Sequence, residues 1–242
     1  MMRSLIIVIL CCLVLAGSAS VYANPPCGYQ GTVVLDGDLT CNPGGSGAAI
    51  VLGAGQTLEC NYHVIRSMNI YGSAVLVTGP GAAINHCDTS RYSAGIQVQS
   101  GGSVQVTDSR VFTAQAVGIN LQPGSFLQGV EVGGTVNGNG VQANTPGSYT
   151  LDGVNLHDNK GFNLIQGANS TVTVNSNYAA SSFSNGGGGF GWDYYSNGGT
   201  GQWNGVCALS INLVNSAHLT STSPGCSPVK KYISSNSTYV EN

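Results

Sequence analysis

Apolar and polar residues alternate along much of the chain, and the alternation recurs at a nearly constant interval. Between residues 81 and 169 the sequence divides into segments of 22 or 23 residues, which are 81–102, 103–124, 125–147 and 148–169. Each segment predicts a first strand, a polar elbow and a second strand, because apolar positions with period two are typical of half-buried strands. Repeats of this length indicate a solenoid, in which each unit buries its apolar side against its neighbours.

Alignment of the segments on the glycine before each second strand predicts columns of equivalent residues. One apolar column contains Ile96, Ile119, Val141 and Phe162, and the amide column beside it contains Gln97, Asn120, Gln142 and Asn163. Stacked strands lie about 4.8 Å apart, so the amides are interpreted as a structural ladder rather than as ligands. The same register predicts that these residues point inward: Val104, Val106, Val111, Val130, Val132, Val154 and Leu156.

The register also places Arg110 in one column with Glu131, Asn155 and Tyr178. Adjacent Arg110 and Glu131 are therefore expected to form an ion pair between coils. Such a surface pair contributes at most about 1 kcal/mol.

The elbows are rich in Gly, Asn, Asp and Ser, which disfavour a helix in each repeat. Leucine-rich and six-residue repeat signatures are absent. Stretches such as VQVTDSRV, TLDGVNLHD and GFNLI resemble the right-handed parallel β-helix proteins of the pectate-lyase-like group, and the resemblance covers residues 31–181. We therefore expect an all-β, right-handed parallel β-helix solenoid with coils of 22–23 residues, over residues 24–183. That fold alone does not specify an activity.

The first residues predict export. Arg3 precedes an apolar stretch at residues 5–16, and residues 21–23 match a cleavage site, so a signal peptide is predicted over 1–23 with Ala19 as a second cleavage position. The apolar stretch is shorter than the roughly 20 residues that span a bilayer. We expect a secreted protein, either extracellular or associated with a cell wall.

Six cysteines remain after the predicted leader, and an even number in an exported chain indicates disulfides. Their order predicts the pairs Cys27–Cys41, Cys60–Cys87 and Cys207–Cys226. No CxxC pair occurs and no histidine is spaced near the cysteines, so neither a metal nor another cofactor is expected. Asn169 and Asn236 lie in N-x-S/T sequons and are glycosylation sites if the host is eukaryotic.

Charge narrows the range of partners. The chain has seven Lys or Arg and ten Asp or Glu, 7% of its residues, and a net charge of −3. It has no basic stripe that would replace phosphate counterions, so nucleic acid and anionic membranes are not expected partners. An extracellular polysaccharide is the expected partner.

The resemblance implies two kinds of catalytic site. The group's hydrolases use neighbouring aspartates with a histidine and a lysine, which here suggests Asp152, His157, Asp158 and Lys160. The hydrolase signatures are missing, however, and residues 157–160 also fit an ordinary turn, which is the favoured interpretation. The group's lyases use calcium-binding carboxylates and a basic residue, and only Arg110 and Lys160 are basic on the well-defined coils. Residues 85–92 form another cluster of titratable groups, interpreted as a stapled loop because it contains Cys87.

Residues 184–205 combine many glycines with aromatic rings, and residues 184–242 are predicted to form this Gly-rich loop and a disulfide-stapled capping segment. The candidate carbohydrate-binding rings are Trp192, Tyr194, Tyr195 and Trp203. The favoured alternative is that the rings cover the open end of the last coil, and the two roles can coexist.

Together these features predict a secreted β-helix protein that binds, or is structurally associated with, an extracellular polysaccharide without catalysis. The alternative is a polysaccharide lyase, epimerase or glycoside hydrolase of the pectate-lyase-like superfamily.

Overall fold

The structure is a computed structural model that describes residues 20–22, 25–44, 47–185, 192–223, 226 and 228–242. In these ranges the chain forms strands and turns without a helix. The strands belong to three parallel sheets, and each coil adds one strand to each sheet in turn. The predicted all-β, right-handed parallel β-helix is confirmed.

The first sheet has 11 strands. They are Ser20–Tyr22, Val33–Leu35, Thr57–Glu59, Ala82–Asn85, Val104–Thr107, Phe126–Gln128, Gly147–Asp152, Ser170–Asn175, Thr200–Asn204, His218–Thr222 and Thr238–Glu241. The second sheet has 10 strands. They are Tyr29–Gln30, Ala48–Leu52, Ser73–Val77, Ala94–Val98, Val117–Asn120, Asn139–Ala143, Leu164–Gln166, Tyr194–Asn197, Ser210–Val214 and Lys230–Ile233.

The third sheet has 8 strands. They are Leu39–Thr40, Val64–Arg66, Asp88–Ser90, Arg110–Phe112, Glu131–Gly133, Asn155–His157, Ser182–Ser184 and Cys207–Ala208. Each coil passes from the second sheet to the first and then to the third. Equivalent residues of the third sheet are 21 to 27 residues apart, so the coils lengthen beyond the predicted interval toward the C-terminus.

The predicted columns are correct for three coils and wrong for the fourth. Ile96, Ile119 and Val141 are paired as predicted, but Val141 pairs next with Leu164 instead of Phe162. The neighbouring column likewise continues into Ile165 instead of Asn163. The cause is the glycine used for the alignment, because the Gly161 amide donates to the Gly138 carbonyl at 2.7 Å instead of lying over Gly140.

The predicted inward positions are confirmed as the core. Each of these residues is at most 2% exposed: Val104, Val106, Val111, Val130, Val132, Val154 and Leu156. β-branched and Leu side chains from successive coils therefore stack on one another through the centre of the solenoid.

The sheets continue past residue 183, so the residues expected to form a loop and cap instead add strands to the solenoid. The strands Tyr194–Asn197 and Thr200–Asn204 pair with the coil before them and with the coil after them. The first and second sheets then extend to Glu241 and Ile233, respectively.

The three predicted disulfide pairings are present, with Cα–Cα distances of 5.5 Å for Cys27–Cys41, 4.8 Å for Cys60–Cys87 and 4.9 Å for Cys207–Cys226. The second of these bonds joins two successive coils. Glu59 precedes one of its cysteines and His86 precedes the other.

Most of the predicted signal peptide, residues 1–19 and 23, lies outside the described residues, but Ser20–Tyr22 pairs with Val33–Leu35. Within the described part of the chain, no helix has the length and hydropathy needed to cross a membrane.

Candidate functional site

The four residues predicted as a catalytic group do not share one set of contacts. Asp152 is 8% exposed, and its carboxylate accepts hydrogen bonds from the amides of Asn177 at 2.8 Å and Tyr178 at 3.0 Å. It therefore anchors the loop that follows the strand Ser170–Asn175. Lys160 is exposed, and its amide donates to the Thr135 carbonyl at 3.1 Å.

His157 and Asp158 do lie together, and the structure adds a carboxylate that the sequence analysis did not assign to them. The Nδ1 atom of His157 is 2.9 Å from Asp158, and its Nε2 atom is 2.9 Å from Glu131 on the preceding coil. Partial burial lowers the pKa of His157, but the hydrogen bonds to both carboxylates outweigh burial, so the pKa is raised above its ordinary value. Gly133 makes room for the ring, because a Cβ atom there would lie 2.6 Å from His157 Cε1.

The predicted carbohydrate-binding rings divide between core and surface. Tyr194 and Trp203 are 0% and 2% exposed and contact each other with ring centroids 4.9 Å apart, so neither can stack on a sugar. The reason is the alternation along their strands, which turns both side chains inward. This arrangement also rules out their predicted role as a cover over the last coil, because further coils follow.

Trp192 and Tyr195 are half-buried and remain accessible. Tyr195 stacks on Phe162, with ring centroids 4.8 Å apart and an interplanar angle of 26°. The Lys230 ammonium lies 4.2 Å from the centroid of the Trp192 ring.

Tyr195 belongs to an outward column of the second sheet, which we call the amide–aromatic face. Register places these residues in the column: Gln97, Asn120, Gln142, Ile165, Tyr195 and Asn212. Among the described strands of this sheet, only Lys230–Ile233 carries charged side chains. Beside Gln97 the face has an open depression of about 470 Å³.

A second surface feature lies at the elbow between the first and third sheets. It is an open groove of about 390 Å³, here called the elbow groove, and its lining consists of Tyr62, Asp108, Arg110, Gly129, Glu131 and Tyr178. Tyr62 is 61% exposed and Tyr178 is 49% exposed. Asp108 accepts a hydrogen bond from the Tyr178 hydroxyl at 2.7 Å, and that hydrogen bond raises the pKa of Tyr178.

The edge of the elbow groove is formed by His86. Its Nδ1 atom is 2.9 Å from Glu59 on the preceding coil, and its Nε2 atom is 3.9 Å from Asp108 on the next coil. The ring centroid is 4.8 Å from that of Tyr62. Because the Cys60–Cys87 disulfide joins the same two coils, the Glu59–His86 pair is held in a fixed register.

The predicted ion pair of Arg110 with Glu131 is wrong. Arg110 and Glu131 are adjacent in register, but the guanidinium forms a two-pronged ion pair with Asp88 on the preceding coil. Glu131 is instead hydrogen-bonded to His157. The column also continues from Asn155 to Ser182, because Tyr178 lies in the preceding elbow loop.

The sequence analysis missed the elbow groove because its residues are far apart in the chain. Tyr178 and Asp108 are separated by 70 residues. Within the cluster at 85–92, Tyr92 is buried, whereas His86 and Asp88 contribute to the edge of the groove. One available signal was the elbow position itself, since Tyr62, His86 and Asp108 all follow strands of the first sheet and have positive φ.

The described residues contain no group of three or more His, Cys, Asp or Glu side chains placed to hold a metal ion. The sequon residues Asn169 and Asn236 are both exposed. Their glycosylation stays a prediction.

Comparison with known proteins identifies the fold. Neither a scan against protein-family models nor a search of curated proteins found a match. Tailspike protein 2 from Escherichia coli O157:H7 bacteriophage CAB120 is similar in structure, with a TM-score of 0.60 and 13% identity over 87% of this chain and 40% of that chain. The chain thus spans less than half of the length of that tailspike.

Two other solved structures match less well. An alginate lyase from Paenibacillus sp. str. FPU-7 has a TM-score of 0.42 and 13% identity, over 89% of this chain and 92% of that chain. The Dettilon tailspike protein has a TM-score of 0.40 and 11% identity, over 92% of this chain and 60% of that chain. At such identities, structural similarity shows the fold and does not transfer an activity.

Proposed function

We propose that the chain binds an extracellular polysaccharide on the amide–aromatic face, without cleaving it. The observation that carries the proposal is the stacked pair of Tyr195 and Phe162, next to a column of Gln and Asn side chains. Aromatic faces pack on the apolar faces of sugar rings, and side-chain amides both donate to and accept from hydroxyl groups. The two residue types therefore match the two kinds of surface that a sugar presents.

The charge of the face favours a neutral polysaccharide. The described strands of the second sheet contain no acidic residue, and their lysines are confined to one end at Lys230–Ile233. Ten strands at a spacing of about 4.8 Å give a face roughly 43 Å long, which is long enough for several sugar rings. Stacking and neutral hydrogen bonds are little screened, so binding should depend weakly on salt.

Retention on insoluble neutral glucans, pectin and alginate tests this proposal. We expect retention on a neutral glucan, its loss in Tyr195→Ala, and an unchanged melting temperature because Tyr195 is half-buried. The matched control is Tyr62→Ala, which removes an exposed tyrosine from the elbow groove and should retain binding. Equal retention by wild type and Tyr195→Ala would show that the face is not the binding surface.

Cleavage of a polysaccharide is the second candidate function. It is favoured by His157, which lies 2.9 Å from Asp158 and 2.9 Å from Glu131 and so can hold a proton beside carboxylates. The same panel is followed for reducing ends, which report hydrolysis, and for absorbance of unsaturated products, which report elimination. Product formation that is lost in His157→Gln would replace the non-catalytic proposal.

Export to an extracellular location is also part of the proposal. Three disulfides fit an oxidising compartment, where such bonds persist. N-terminal sequencing of the protein released by a secreting host would test it, with cleavage expected after Ala23. An uncleaved, cell-retained chain would contradict this part of the proposal.

A further inference from the structure

We infer that the elbow groove is a second binding site, which takes a saccharide carrying protonated amino groups. This site lies between the first and third sheets, whereas the amide–aromatic face lies on the second sheet. The ammonium specificity follows from the groove alone. The saccharide assignment rests on the proposed polysaccharide function.

The charges of the groove favour a cation. Asp108 and Glu131 both line it, and the single arginine in the lining, Arg110, is already neutralised by Asp88. The groove therefore keeps a net negative charge when its two lining carboxylates are ionised. An ammonium group would be attracted to it, and the carboxylate of a uronic acid would be repelled.

The aromatic lining favours the same kind of ligand. Tyr62 and Tyr178 both line the groove and expose 61% and 49% of their surface. An ammonium group is attracted to the face of an aromatic ring, and such rings also pack on sugar carbons. Rings beside carboxylates satisfy both the charge and the apolar ring of an amino sugar.

The groove is held in shape before any ligand arrives. Asp108 fixes the Tyr178 hydroxyl at 2.7 Å, and Asp152 holds the Tyr178 amide at 3.0 Å. Gly129 lies under the Tyr178 ring, because a Cβ atom at Gly129 would lie 2.7 Å from Tyr178 Cε1 and would also collide with Asp108. On the other side, Tyr62 packs on His86 with ring centroids 4.8 Å apart. Ordered side chains lose less entropy when they bind.

Calorimetry with defined oligosaccharides tests the inference. The probes are oligomers of glucosamine, N-acetylglucosamine, glucose and galacturonic acid, at low salt and a pH where the free amine is protonated. We expect the glucosamine oligomer to bind about tenfold more tightly than its acetylated counterpart, and binding to weaken at high salt. Galacturonate should bind most weakly of the four.

Variants place the binding in the groove. Asp108→Asn and Glu131→Gln preserve side-chain shape and should each weaken glucosamine binding about fivefold, and Tyr178→Ala should weaken it similarly. Tyr195→Ala, on the amide–aromatic face, should bind the glucosamine oligomer as wild type does. Melting temperatures of all variants are measured first, and Asp108→Asn keeps the test valid if Tyr178→Ala unfolds.

Specific outcomes overturn the inference. Equal affinity for the acetylated oligomer, or tighter binding of galacturonate, would disprove ammonium recognition. Loss of glucosamine binding in Tyr195→Ala would place the site on the other face. A tetralysine peptide that binds as tightly as the glucosamine oligomer would overturn the saccharide assignment. Failure of neutral-glucan retention, with glucosamine binding intact, would refute only the proposed function of the amide–aromatic face.

Discussion

The Glu131 carboxylate lies 2.9 Å from the Nε2 atom of His157, a residue of the next coil along the solenoid. Asp158 contacts the other ring nitrogen at 2.9 Å, so this imidazole is held between carboxylates. The coils are otherwise joined by backbone hydrogen bonds and apolar packing, which do not titrate. His157 thus gives one inter-coil contact a dependence on pH.

The first prediction concerns that dependence. Partial burial lowers the pKa of His157, but the bonds to Asp158 and Glu131 raise it further, to a net value above the ordinary 6.5. A pKa raised in the folded state stabilises the fold fully below the unfolded value, and this stabilisation is lost as pH rises through the folded value. Wild type should therefore exceed His157→Gln in melting temperature by more at about pH 5.5 than at about pH 8.5. A difference that is constant, or that grows with pH, would contradict the charge state assigned here.

A second prediction tests the inward register. Val154 is 0% exposed, and Val154→Asp would bury a carboxylate in an apolar core without a partner. We expect no folded protein from this variant. The matched control is Val136→Asp, since Val136 is 44% exposed and substitutions at such positions usually change stability by less than about 0.5 kcal/mol. Secretion yield and circular dichroism of the two variants give the answer, and normal folding of Val154→Asp would refute the register.

The fold could be predicted from the sequence because stacking repeats the same chemistry in every coil. Ile96, Ile119 and Val141 share a column in the sequence alignment and in the structure. The prediction failed at the next coil, where residues 161–163 approach the second sheet differently. There Asn163 is buried and its amide donates to Asp193 at 3.1 Å, a contact that joins positions 30 residues apart. Polar groups that turn inward have no periodic signal in the sequence.

The candidate sites were less predictable because they depend on contacts across several coils. Tyr178 reaches Asp108 from a loop whose path is set by Asp152, and no local pattern shows that path. Trp203 is different, since its burial could have been predicted. Thr200, Gln202 and Asn204 alternate with Gly201 and Trp203, which places the indole on the inner side of the strand.

A third prediction separates backbone strain from steric room at the elbow. Gly129 and Gly134 both have positive φ, at 63° and 66°. Alanine at either position should cost roughly 1–2 kcal/mol of folding free energy, because the left-handed region is unfavourable for residues with a Cβ atom. Only at Gly129 would that atom collide with Asp108 and Tyr178, whereas at Gly134 the nearest atom is 3.9 Å away.

Gly129→Ala should therefore lose more stability than Gly134→Ala and should also disrupt the elbow groove. Thermal unfolding measures the first effect, and calorimetry with the glucosamine oligomer measures the second. Equal behaviour of the two variants would show that Tyr178 does not rest over Gly129.

The last prediction assigns different roles to the tryptophans of the Gly-rich segment. Trp203 lies in the core against Phe183 and Tyr194, with ring centroids 5.5 Å and 4.9 Å away, whereas Trp192 is half-buried at the surface beside Lys230. Trp203→Ala should cost about 3–5 kcal/mol through the cavity it leaves, and Trp192→Ala should cost much less. The buried indole N–H of Trp203 has no hydrogen-bond partner within the described structure, so Trp203→Phe forfeits packing but no hydrogen bond. Denaturant unfolding should therefore rank the variants Trp192→Ala, Trp203→Phe and Trp203→Ala in order of increasing loss. If Trp203→Ala keeps wild-type stability but loses polysaccharide retention, then its ring acts at the surface and the burial described here does not hold in solution.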